Sequence, residues 1–163
     1  MFTTVEFNYM APINIKNLFD FLIFLINSDK IFFPKSKTEV EDIIIISLAS
    51  YFEFQKTNSD REASDIFKYP PLVFYTNLEI YLDEYKETSK IPKRLEEFTE
   101  EIYKLVDDID FNEMLQYFIF KILIEKKNIT KDELNILSEI NKSLRNEKDK
   151  NTDESININT EVI

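Results

Sequence analysis

Not one of the 163 residues is glycine, and none is cysteine, histidine or tryptophan. At the usual frequency of about 7%, roughly eleven glycines would be expected, so left-handed turns and loops that close around phosphate are hard to build. That argues against dinucleotide and P-loop sites. Zinc and thiolate centres lack their usual ligands, serine and cysteine hydrolases lack their imidazole base, and an EF-hand lacks the residue at its sharp turn. No catalytic residue, cofactor or metal ligand is therefore assigned. The excess of Ile, Asn, Lys and Phe fits an AT-rich coding bias, which by itself accounts for part of the glycine deficit. What remains is the inventory of a chain that binds another protein.

With 31 acidic against 20 basic residues, the net charge of -11 disfavours nucleic acid as a partner, because affinity for phosphate backbones rests on Lys and Arg displacing counterions. The Lys126-Lys127 pair is too small to reverse this. The longest apolar stretch, Phe21 to Ile26, ends at Asn27, Ser28, Asp29 and Lys30, far short of the ~20 residues of a spanning helix. No membrane partner and no small-molecule substrate are expected. No basic residue precedes Lys16, so a secretory or mitochondrial targeting segment is not expected. With no cysteine, the chain is expected in the cytoplasm or nucleus.

Hydrophobic spacing predicts a mainly helical chain with little strand. Phe2 to Phe7 is rich in β-formers, and Lys30 to Phe33 is a second short strand candidate that stops at Pro34. From Ile13 onward the apolar residues Ile15, Leu18, Phe19, Leu22, Leu25 and Ile26 recur at threes and fours. Thr38 and Glu41 form a capping-box pattern for a helix from about Glu39 to Phe54, despite four consecutive isoleucines that favour a strand. Lys56 to Lys68 reads as a loop, and Pro70-Pro71 opens a helix that closes at Thr88 to Pro92. A further helix runs from Lys93 to about Val106, with Glu96, Glu97, Glu100 and Glu101 on a solvated side. Two more helix starts carry caps and hydrophobic staples: Asp110/Glu113 with Ile109/Met114, and Thr130/Glu133 with Ile129/Leu134. Met114 to Ile124 is apolar on nearly every side, which demands burial all round. Residues 1-145 form one domain, and 146-163 have the composition of a disordered acidic and polar tail.

The run IYKLVDDIDFNEMLQYFIFKILIEKKNITKDELNILSEI, from Ile102 to Ile140, resembles the C-terminal half of the Skp-type BTB/POZ adaptors of SCF ubiquitin ligases. The family's leucine-aspartate-isoleucine step, paired leucine, threonine-capped turn and acidic helix start match Ile109-Asp110-Phe111, Met114-Leu115, Thr130 and Asp132-Glu133-Leu134 without a gap. Upstream, Pro12 to Leu22 (PINIKNLFDFL) is similar to the segment where a β-hairpin passes into the first helix. The stretch from Phe32 to Phe54 is similar to the family's proline-bearing strand and following helix. About two-thirds of the chain is covered. The family's first strand is not recognisable, its asparagine-tyrosine pair falls on Asp107-Asp108, and its final tryptophan-bearing helix is replaced by SLRNEKDKNTDES.

The resemblance implies an α+β, mainly helical BTB/POZ-like core with a small N-terminal sheet and C-terminal helices; from the pattern alone, all-α stays open. It further implies a non-enzymatic adaptor that links an F-box-type receptor to a cullin-type scaffold. The F-box-like partner would cover Met114, Tyr117, Phe118, Leu134, Leu137 and Ile140, and the cullin-like partner would touch Tyr51, Asp107 and Asp108. Two other readings remain: a structural subunit of another multiprotein complex, and an acidic effector with which a virus or parasite captures a host protein. The cluster Asp107, Asp108 and Asp110 is read as a helix cap with solvated neighbours, because no phosphate cradle accompanies it. Phe74, Tyr75, Tyr81 and Tyr85 read as core of an amphipathic helix or as interface aromatics.

Overall fold

A computed structural model describes residues 4–7, 10–57 and 72–153. The chain is mainly helical. Strands β1 (Thr4–Phe7) and β2 (Met10–Asn14) pair antiparallel, Thr4 opposite Asn14 and Val5 opposite Ile13, with a register shift between Val5 and Phe7. β2 passes without a linker into α1 (Ile15–Asn27). There follow α2 (Lys37–Thr57), α3 (Leu72–Thr88), a 3-10 turn (Lys93–Leu95), α4 (Glu96–Leu105), α5 (Asp108–Glu125) and α6 (Lys131–Asp153).

α2 is the central helix, packed against α3, α4 and α5. All four isoleucines Ile43 to Ile46 are buried along it, as are Leu48, Ala49, Tyr51 and Phe52. A helix surrounded on every side has no need of an amphipathic stripe, which is why a strand-like isoleucine run is compatible with helix here. Two serines are buried with it: Ser47 donates from Oγ to the Ile43 carbonyl at 2.7 Å, whereas the Ser50 hydroxyl has no hydrogen-bond partner among the described residues. α3 is held to α2 by two tyrosines. Tyr81 donates to Glu53 at 2.5 Å and Tyr85 donates to Asp42 at 2.6 Å, so both rings are core while their hydroxyls reach carboxylates at the rim. Burial, together with these carboxylates, pushes the Tyr81 hydroxyl up to about 12 and raises that of Tyr85 as well.

Several expectations need correction. Lys30 to Phe33 is not a strand: it follows a helix stop in which Lys30 N–H reaches the Leu25 carbonyl at 2.9 Å and Asp29 N–H the Ile26 carbonyl at 3.2 Å. That is a Schellman closure, and it turns Ile31 into the core instead of extending a sheet. The α2 cap is Ser36, whose Oγ accepts from Glu39 N–H at 3.1 Å, two residues before the expected Thr38. The α5 cap is Asp107, accepting from Asp110 N–H at 2.8 Å, three residues before the expected Asp110. Consequently the residue before the cap is buried Val106, and Ile109 rides outward on the first turn instead of stapling to Met114. The Thr130/Glu133 box forms as drawn, with Glu133 N–H to Thr130 Oγ1 at 3.1 Å and Thr130 N–H to Glu133 Oε1 at 3.0 Å. The boundary expected at 145 lies inside α6, because Arg, Glu and Lys carry good helix propensity once a helix is running. The loop expected at Lys56 to Lys68 falls mostly, and the Pro70-Pro71 start and residues 154–163 wholly, outside the described residues.

Without glycine, the left-handed helix stops fall to Asp29, Ser89 and Asn128, with φ of 55°, 57° and 57°. Asp and Asn tolerate this conformation better than Ser does. Ser89→Gly is expected to raise stability by about 0.5–1 kcal/mol, the relief of the Cβ clash exceeding the added entropy of the unfolded chain. Urea denaturation checks it through the transition midpoint.

Candidate protein-binding surface

α5 spans 18 residues, about 27 Å, and carries Met114, Tyr117 and Phe118 of the residues expected at an F-box-like contact, the others lying on α6. Its inner face is formed by Met114, Leu115, Phe118, Ile119 and Ile122, all buried. Phe118 meets Phe19 of α1 with ring centroids 5.0 Å apart. α6 returns alongside α5 after a short turn, placing Leu137, Ile140 and Leu144 in the same core. The turn is fastened at two points. Asn27, the last residue of α1, donates to the Glu125 carbonyl at 3.1 Å and accepts from Lys127 N–H at 2.8 Å. Lys126 Nζ sits 3.0 Å from Glu133 Oε1. Burial alone would raise the Glu133 carboxyl, but the Thr130 N–H and the Lys126 ammonium outweigh it and hold Glu133 below the usual carboxylate range.

These positions correct the expected contact set. Met114, Phe118, Leu137 and Ile140 are enclosed by the chain's own helices, so a partner helix would have to part those helices to cover them. Tyr117 is half-buried against Phe19, and Leu134 alone of the six is largely open, at 43% exposed. Ile140 shows only an edge, at an open groove bounded by Lys35, Ser36 and Lys37 on one side and Asn135, Ile136, Glu139 and Ser143 on the other. Of the cullin-like set, Tyr51 is wholly inside α2's core, where burial pushes its hydroxyl up to about 12, whereas Asp107 and Asp108 are exposed.

The open apolar residues of α5 itself lie on its opposite side, while Phe24, Val73, Ile80 and Tyr103 are exposed on other helices. Ile109, Phe120 and Ile124 are 60%, 50% and 63% exposed, and their spacing of eleven and four places them on one side of the helix. Sequence reasoning missed them by demanding burial all round, although the apolar excess of Met114 to Ile124 was the signal. Beside this stripe, Asp108 and Asp110 are exposed and Glu113 is half-buried, and none has an ion pair among the described residues. Further along α5 the lysines are occupied, Lys121 bridging Asp20 and Glu125 and Lys126 pairing with Glu133, while exposed Lys104, just before the helix, has no ion pair among the described residues.

Among the described residues no group of three or more His, Cys, Asp or Glu side chains is placed to hold a metal ion, and no helix is long and apolar enough to cross a membrane. Compared with family models, curated proteins and solved structures, the chain finds no match in any of the three.

Proposed function

We propose that this chain is a non-enzymatic adaptor that engages protein partners through helical surfaces. The observation that carries the reading is the outer stripe of α5: three large apolar side chains left in solvent on a helix whose other face is core. Scattered exposed apolar residues are ordinary, but a row along one face is the pattern of a helix that receives a partner. Buried area, rather than chemistry, would drive the association. The residue inventory supports the non-enzymatic half.

In its finer form, the adaptor joins an F-box-type receptor to a cullin-type scaffold on a BTB/POZ-like core. The gap-free motif order from Ile102 to Ile140 supports that form, whereas the Asp107-Asp108 pair, standing where the family has asparagine and tyrosine, weighs against its cullin contact. The enclosed Met114, Phe118, Leu137 and Ile140 weigh against a receptor groove between α5 and α6, so the contact moves to α5's outer side. A structural subunit of a different complex would use the same stripe.

The test is a pull-down with the folded full chain against the double variant Phe120→Asp/Ile124→Asp. Loss of two central apolar anchors is expected to weaken the captured complex by about tenfold or more. Circular dichroism should stay unchanged and the melting temperature should shift little, since both side chains are half or more exposed. Equal capture by both proteins would remove α5's outer face as the binding surface.

A further inference from the structure

Resting on the reading of α5's outer face as a docking surface, we propose that its occupant is a basic amphipathic helix, with apolar residues seated on Ile109, Phe120 and Ile124 and with Lys or Arg set over Asp108, Asp110 and Glu113. The apolar stripe specifies a helix-like row of anchors, because its residues repeat at helical spacing along one side. Charge selects among such helices. The carboxylates beside the stripe have no basic partner among the described residues: Lys121 and Lys126, further along the helix, are held by other acids of this chain, and Lys104, four residues before Asp108, pairs with none of them. An acidic helix would meet like charge at the first turn of α5, and a basic one would find unpaired carboxylates there.

The same accounting disfavours a second copy as occupant. Each copy carries a net charge of -11, so two would approach against mutual repulsion. A basic partner gains from the field that a second copy would have to overcome.

Three synthetic peptides about five turns long serve as probes of the full chain by fluorescence anisotropy. One has leucines at helical spacing and lysines elsewhere, the second has the lysines replaced by glutamates, and the third scrambles the first to remove its apolar face. The leucine-lysine peptide is expected to bind at least about tenfold tighter than either control and to weaken as salt rises. Binding should fall about tenfold or more in Phe120→Asp/Ile124→Asp, and severalfold in Asp108→Asn/Asp110→Asn/Glu113→Gln, with circular dichroism confirming that both variants fold. Equal binding of the glutamate peptide would overturn the charge assignment while leaving the docking face intact. No binding of the leucine-lysine peptide, or binding indifferent to both sets of substitutions, would overturn the proposal; the pull-down then judges the face separately. Concentration-dependent dimerisation in analytical ultracentrifugation that Phe120→Asp/Ile124→Asp abolishes would name a second copy as the occupant and overturn it too.

Discussion

Truncating Phe118 to alanine is expected to lower the unfolding free energy by about 3–5 kcal/mol, the range for removing an aromatic side chain from a close-packed interior. Phe118 has no solvent exposure and lies against Phe19 of α1 at 5.0 Å between ring centroids, so its loss leaves a cavity where α1 and α5 meet. The surrounding helices relax only partly into such a space. Urea denaturation measures the effect directly, and a smaller slope with urea would show that the α1-α5 contact itself had loosened. Were Phe118 an open contact for a receptor helix, the same substitution would change stability by no more than about 0.5 kcal/mol. The two accounts of α5 therefore differ by several kcal/mol at one residue.

Lys121 carries the second large effect. Its side chain is 5% exposed, it is ion-paired to Asp20 of α1, and its Nζ lies 2.8 Å from Glu125 Oε2 one turn further along α5. Burial alone would lower the ammonium, but the two carboxylates outweigh it and hold it above the usual lysine value. Lys121→Ala is expected to cost about 2–4 kcal/mol, because it removes a buried alkyl stem as well as the charge. Lys121→Met keeps the stem and is expected to cost less than about 1.5 kcal/mol, since Asp20 and Glu125 are open enough for water to replace the ammonium. Paired urea curves for the two variants separate packing from charge. The pH dependence has a defined sign. Burial would raise the Asp20 carboxyl, yet Lys121 and Lys16 hold it below its unfolded value near 3.8. Its contribution is thus complete above that value and lost as the pH falls through the lower, folded one. Wild type and Lys121→Met should converge in strongly acidic solution and stay apart at neutral pH.

Helices were legible where local chemistry had one solution. Thr130 and Glu133 stand alone as a cap and its acidic partner, and α6 starts there. Where two polar residues competed, spacing could not choose. Ser36 and Thr38 both suit a cap, as do Asp107 and Asp110, and in each case the earlier one caps the helix. β2 was not read from residue types, since a proline such as Pro12 fits only an edge strand, as a two-stranded hairpin provides; the likeness of Pro12 to Leu22 to a hairpin entering a helix pointed to it. The candidate surface was less legible than the fold. α5 is apolar at 114, 115, 118, 119 and 122 and again at 117, 120 and 124, so periodicity gave no inner and outer side. That choice depends on where α1, α2 and α6 lie. Resemblance placed the contact on the side that tertiary packing had already filled.

The absence of native cysteine makes solvent access to α5 and α6 directly measurable. Single-cysteine variants Met114→Cys, Leu137→Cys, Phe120→Cys and Ile124→Cys can be labelled with a thiol reagent under native conditions. Cysteines at 120 and 124 should react as fast as in a denatured chain, and those at 114 and 137 should react only through opening of the structure, slower by orders of magnitude. Labelling at 114 and 137 as rapid as at 120 and 124 would show the α5-α6 seam to be open, and would contradict the assignment of α5's outer face as the surface left for a partner.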